Sequence, residues 1–366
     1  MKKKSIAAAF RFTVAVLLGL GACACASGKG EQNSFSNVFG KSGYEKLIER
    51  QQASMPEELN SSKKIPKMTE NDFELLGDRY FQQGKLELAF VEYSRVLEAK
   101  PDNPSVIYKR GLIYLKKKMT ESASSEFKAI LKKDSSNALG NQGMGQVLYK
   151  NRNFPEAKRH FEQAVKADPR LWVSRTFLGI LYDYEQQPGK AVEEYNAAIA
   201  IKPDEPILYN NLGISYSLMG EYDRAVECFS RELQLSPKDP KAANNLGIVL
   251  SKLGRDQEAI EAFRIGGDEA QAFNNLGCFY LQEGKYSQAM SAFEKAIELR
   301  PTYYAQANEN LKKAEAALRS EIQSSGPEEG RGQVNGTVGG SFSTKSKSGG
   351  ETFLKNPAEQ VGKTAN

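Results

Sequence analysis

Between residues 70 and 303, apolar and small side chains fall on two helical stripes that recur down the chain. Counting from residue 70, positions 4, 7, 8 and 11 of each unit share one face of a helix, and positions 20, 24 and 27 share one face of a second. A glycine at position 8 marks each unit: Gly77, Gly111, Gly145, Gly179, Gly213, Gly247 and Gly277. Their spacing is 34 residues five times and then 30, which predicts a tandem array of helical hairpins rather than a single globular core. The units run 70–103, 104–137, 138–171, 172–205, 206–239, 240–269 and 270–303.

Other positions keep the same register. Position 20 is Ala89, Ala123, Ala157, Ala191, Ala225, Ala259 and Ala289, and position 24 is always aromatic, from Tyr93 and Phe127 to Phe263 and Phe293. Small residues at 8 and 20 let two antiparallel helices approach, while the aromatic at 24 and the residue at 11 fill the space beside the crossing. Position 32 is Pro101, Pro169, Pro203, Pro237 or Pro301 in five units, and proline cannot continue the second helix. Each hairpin alone leaves an apolar face bare, so neighbours must stack. The pattern resembles the tetratricopeptide repeat. That resemblance implies an all-α fold, a right-handed solenoid of seven helix pairs, closed by a C-terminal capping helix.

Residues 304–322 carry the capping pattern, with Ala307, Leu311, Ala314 and Leu318 on one face and Lys, Glu and Asn between. Leu311 stands where the signature glycine would be. The sixth unit is four residues short near Arg264-Ile265-Gly266-Gly267-Asp268; the paired glycines are expected to end its second helix early and Asp268 to cap the next. Residues 323–366 are mostly Gly, Ser, Thr, Lys and Glu and read as a disordered tail, with Phe353-Leu354 as its one apolar pair.

The N-terminus reads as an address. Lys2, Lys3 and Lys4 precede an apolar segment strongest over Phe12 to Leu20, too short for a stable membrane span. It ends in Leu20-Gly21-Ala22-Cys23, which resembles the bacterial lipobox. The resemblance implies cleavage of residues 1–22 and acylation of Cys23, with chains such as palmitate, each buried methylene adding about 0.8 kcal/mol of membrane affinity. An ordinary signal peptide cut near Ala24 or Ala26 is the alternative. Ala24, where an Asp would suggest inner-membrane retention, points to the outer membrane, facing the periplasm. Residues 23–69 then form a lipid-anchored tether rich in Ser, Gly, Asn, Gln and Lys, with one helix-like patch from Tyr44 to Gln52.

Charge adds an exclusion. The formal charge is +5, but Lys2, Lys3, Lys4 and Arg11 lie in the leader, so the remainder is close to neutral and offers no electrostatic case for nucleic acid. Catalytic chemistry is equally poorly served. The one histidine, His160, is expected on the solvated outer side of a second helix. Cys228 and Cys278 sit in non-adjacent units without metal or redox spacing, and Glu193-Glu194 and Glu57-Glu58 read as solvated charge pairs. No nucleophile set or phosphate-cradling loop stands out, so the chain reads as non-catalytic, with no metal, no cofactor and no small-molecule substrate.

Binding surface remains. Three units carry Asn-Asn-Leu-Gly, placing Asn210, Asn244 and Asn274 at position 5 and Asn211, Asn245 and Asn275 at position 6. An amide carries donor and acceptor together and can pair with a peptide backbone of any sequence. The row resembles the asparagine ladder of some peptide-binding tetratricopeptide superhelices, whose concave groove carries these positions. Alternatively the amides satisfy neighbouring helix groups or simply solvate the groove. Ile180, Ile214 and Ile248, with Leu112, Leu115, Val173 and Ile207, make the expected groove apolar, and Tyr108, Lys109 and Tyr149 add to it. Of the cations a carboxylate clamp would need, only Lys109 and Lys241 are in place. A lipobox joined to these repeats resembles the tight-adherence (Flp) pilus assembly and type IV pilus pilotin lipoproteins. That resemblance implies a protein partner, an extended or helical segment of a secretin or pilus component. The alternative is an adaptor that recruits or regulates cell-wall enzymes.

Overall fold

The computed structural model describes residues 68–300 and 304–324. Cys23, the leader, the tether and the C-terminal tail lie outside the described residues.

Within them the chain forms fifteen α-helices in tandem. Seven antiparallel hairpins come first, each with a first helix (A) and a second (B). They are α1 (Glu70–Gln82) with α2 (Leu86–Ala99), α3 (Pro104–Lys116) with α4 (Thr120–Lys133), and α5 (Ala138–Lys150) with α6 (Phe154–Ala167). Then come α7 (Trp172–Tyr184) with α8 (Pro188–Ile201), α9 (Pro206–Leu218) with α10 (Tyr222–Leu235), α11 (Pro240–Lys252) with α12 (Asp256–Ile265), and α13 (Glu269–Gln282) with α14 (Tyr286–Glu298). The closing helix is α15 (Ala305–Ser324). Contacts divide the chain into two compact units, one up to Ser174 and one from Arg175 onward.

Local chemistry sets the helix ends. Thr69 and Asp72 form a reciprocal capping box on α1, and Asn103, Asn137, Asp239 and Asp268 cap α3, α5, α11 and α13 through their side chains. Proline occupies the first turn of α3, α9 and α11, where no backbone donor is lost. Each B helix of the first five hairpins ends on a residue outside the helical region, for example Lys202 (φ −134, ψ 76) and Ser236 (φ −135, ψ 77). A following proline excludes the helical region for these two. Asp134 (φ −141, ψ 101) does the same with Ser135 after it, so the turn does not depend on proline alone.

Position 15, between A and B helices, is left-handed in every hairpin. Four hairpins place glycine there (Gly84, Gly220, Gly254 and Gly284, φ 72 to 76); the others use Lys118, Arg152 and Gln186 (φ 59 to 61). The signature glycine has a different task. A Cβ on Gly213 would stand 2.8 Å from the ring of Phe229, and one on Gly179 would stand 2.5 Å from Tyr195. Position 24 therefore lies directly on the glycine rather than beside the crossing. The rings at position 24 and the alanines at position 20 are almost wholly buried throughout.

In the short sixth hairpin, α12 has 10 residues and stops at Ile265; Gly266 and Gly267 follow, and Asp268 accepts from the Gln271 amide at 2.8 Å, as the sequence predicts. A Cβ on Gly266 would sit 3.2 Å from Pro240, a close approach between the end of α12 and the start of α11. The closing helix α15 turns Ala307 and Ala314 fully inward.

Candidate functional site

The candidate site lies on the A helices of the second unit, α9, α11 and α13, with residues 175–184 of α7. Here the asparagines bond chiefly to one another. Asn245 Nδ2 donates to Asn210 Oδ1 at 3.0 Å, and Asn210 Nδ2 donates to Asn211 Oδ1 at 3.3 Å. Asn275 Nδ2 reaches Asn244 Oδ1 at 3.5 Å. Asn310, on α15, donates to Asn274 Oδ1 at 3.1 Å and to Cys278 Sγ at 3.3 Å. Asn210, Asn211, Asn245 and Asn274 are buried, whereas Asn244 and Asn275 keep accessible surface. The Asn211 amide nitrogen is buried without a hydrogen-bond partner among the described residues. Ile180, Ile214 and Ile248 are each less than a tenth exposed and pack between the helices.

Four of the six asparagines thus tie successive A helices together, and Asn310 extends the chain of amides into the closing helix. The sequence pattern does not mark Asn310, because its helix lacks the Leu-Gly signature. The first unit has its own buried version: Gln142 Nε2 donates to the Tyr108 hydroxyl at 2.5 Å, and Ser174 donates to Gln142 Oε1 at 2.9 Å. Lys109 is held by Glu74 (2.8 Å) and Asp78 (2.7 Å).

Among the large apolar side chains exposed in the second unit, besides Ile265 and Ile322, three lie at the ends of α7 and α9. Tyr184 is 45% exposed, Leu218 44% and Met219 41%. Tyr184 and Leu218 both occupy position 13, where the other hairpins carry Gln82, Lys116, Lys150, Lys252 and Gln282. Beside them is Asp183, whose carboxylate accepts from Ser215 Oγ on α9 (2.9 and 2.7 Å) and from the Tyr195 hydroxyl (3.1 Å). Burial pushes this carboxyl up to about 7, against the two hydroxyl donors that hold it down.

One side chain, His160, departs from its sequence expectation. His160 is half-buried, its Nδ1 2.8 Å from Asn141 Oδ1, and burial lowers its pKa. It is a packing residue rather than a solvated one. Cys228 is buried, and burial raises its thiol to about 12. Among the described residues both cysteines, Cys228 and Cys278, are free, and no helix is long and apolar enough to cross a membrane.

Antiparallel hairpins in tandem, glycine-on-ring packing in each, and an A-helix face with exposed apolar side chains define a helical-repeat scaffold for protein interactions. Profiles described as TPR repeat match residues 77–118 and 184–220, and profiles described as tetratricopeptide repeat match 138–171, 204–264 and 270–303, together more than half the chain. The chain belongs to the tetratricopeptide repeat family. No curated protein matches it. Among solved structures, a MamA protein is 25% identical, covering 46% of this chain and 92% of its own, with a TM-score of 0.35. PilF of Pseudomonas aeruginosa is 18% identical, covering 68% and 96%, with a TM-score of 0.46. PilW, a type IV pilus biogenesis factor, is 20% identical, covering 55% and 94%, with a TM-score of 0.47.

Proposed function

We propose that the protein is a non-catalytic scaffold lipoprotein, anchored through Cys23 to the outer membrane on its periplasmic face, that binds a segment of another protein on the A-helix face of its second unit. The observation that carries the binding half is the exposed pair Tyr184 and Leu218, apolar at a position the other hairpins keep polar. Exposed apolar side chains gathered on one face, rather than scattered singly, are what an interaction site presents. Asn244 and Asn275, still partly accessible, add amide groups for a peptide backbone. The anchoring half is supported by Leu20-Gly21-Ala22-Cys23. A lipobox joined to tetratricopeptide repeats supports a role in assembling a pilus or secretion machine, with a secretin or pilus subunit as the partner.

Two variants test the two halves separately. Cys23→Ser should move the protein from the membrane to the soluble fraction; unchanged fractionation contradicts the anchor. Tyr184→Ser combined with Leu218→Ser should abolish co-purification with the machine's envelope component at normal protein level. Retained co-purification contradicts the binding face.

A further inference from the structure

Five hairpins carry Phe at position 24, and two carry tyrosine, Tyr93 and Tyr195. A buried hydroxyl needs a partner, and each tyrosine finds an aspartate on the A helix of its own hairpin. Tyr93 donates to Asp78 at 2.7 Å, and Tyr195 donates to Asp183 at 3.1 Å. The two aspartates differ in what else they hold. Asp78 is completed by a cation, the Lys109 ammonium at 2.7 Å. Among the described residues, Asp183 receives only a second neutral hydroxyl, that of Ser215. Among the described residues no Lys or Arg pairs with it.

A carboxylate drawn from water and given no counter-charge is destabilised in its ionised form, in keeping with a pKa pushed up to about 7. Asp183 is not fully enclosed. Its neighbour Tyr184 is among the most exposed apolar side chains, and Leu218 lies three residues beyond Ser215 on α9. Helical spacing places Ile180, Asp183 and Tyr184 on one stripe of α7, and Ile214 and Leu218 on one stripe of α9. The Ser215 to Asp183 hydrogen bond ties the two stripes together.

We propose that Asp183 receives a lysine or arginine side chain from the bound protein segment, while Tyr184 and Leu218 take the apolar residue next to it. The proposal rests on the binding face assigned above and names the chemistry of its ligand. The arriving cation would stand to Asp183 as Lys109 stands to Asp78.

A random-peptide phage library panned on the full-length protein tests this, with selected peptides measured by fluorescence polarisation. Selected sequences should carry Lys or Arg beside Leu, Ile, Phe or Tyr. Replacing that base by norleucine, or Asp183 by Asn, should each weaken binding about tenfold, the scale of a charge-assisted hydrogen bond. Asp183→Asn keeps an acceptor for Tyr195 and Ser215, and unchanged circular dichroism confirms its fold. The Asp183 carboxyl followed by NMR should titrate near 7 alone and fall to the ordinary carboxylate range with peptide bound, a change a purely structural role would not give. Peptides that lose affinity for Leu218→Ser but bind Asp183→Asn equally leave the binding face standing and overturn the cation site. Peptides indifferent to both variants, or no selection at all, overturn the binding face and this proposal with it.

Discussion

Asn245 donates its side-chain amide to the side-chain oxygen Oδ1 of Asn210 across 3.0 Å, and both residues are buried. The two come from neighbouring A helices in the part of the chain where the Asn-Asn-Leu-Gly motif recurs. The recurrence is therefore, in part, a device for joining one hairpin to the next. Removing one partner strands the other. Asn245→Ala should destabilise the protein by about 1–3 kcal/mol, since a buried acceptor left unpaired costs its desolvation. Urea denaturation followed by circular dichroism measures this, and Asn275→Ala, at a partly accessible site, should cost less.

Glycine against ring makes a second prediction. A Cβ on Gly213 would stand 2.8 Å from Phe229, so Gly213→Ala must displace a fully buried ring. A cost of about 1–3 kcal/mol is expected. Phe229→Ala should cost roughly 3–5 kcal/mol through the cavity it leaves. With the ring gone, the added methyl of Gly213→Ala should lose its penalty. A double-mutant cycle reads that coupling, and strict additivity would contradict the contact.

Glu232 occupies position 27, where other hairpins bury Val96, Ile130, Ala164, Ala198 and Ala296. It is 1% exposed, and its Oε2 has no hydrogen-bond partner among the described residues. Burial first, and the Asp239 charge second, push its carboxyl up to about 8, while Lys241 partly offsets them. The folded-state pKa is raised above the unfolded value, so the neutral acid is the form the fold tolerates. Stability is then greatest below the unfolded carboxyl pKa of about 4.3 and falls as pH rises through about 8. Glu232→Ala should raise the melting temperature clearly at pH 9 and much less at pH 5, relieving on the order of 2–4 kcal/mol at the higher pH. Thermal denaturation at the two pH values decides it; equal effects at both would contradict the buried acid.

Much of this architecture is legible in the residues themselves. Gly213, Ala225 and Phe229 repeat at fixed offsets because three side chains must meet at each helix crossing, and a local packing rule leaves a local signature. Left-handed position 15 is half-hidden: Gly84, Gly220, Gly254 and Gly284 show it, but Lys118, Arg152 and Gln186 adopt the same conformation without glycine. The amide pairings were not legible, because Asn210 and Asn245 meet only once neighbouring hairpins pack, and Asn310 carries no motif. Likewise, Asp183 reads as one more surface acid until Tyr195 and Ser215 are seen to hold it. The lipobox and the tail lie outside the described residues, and their roles rest on sequence.

The binding face itself is tested most directly by site-specific photocrosslinking in the cell, with benzoylphenylalanine placed either at Leu218 or at Glu227, an exposed residue of the B helix α10. A discrete adduct with one envelope protein is expected from position 218, absent from position 227 and lost when Tyr184→Ser is added. Adducts of equal yield from both positions, or an adduct at 218 unaffected by Tyr184→Ser, would contradict the account.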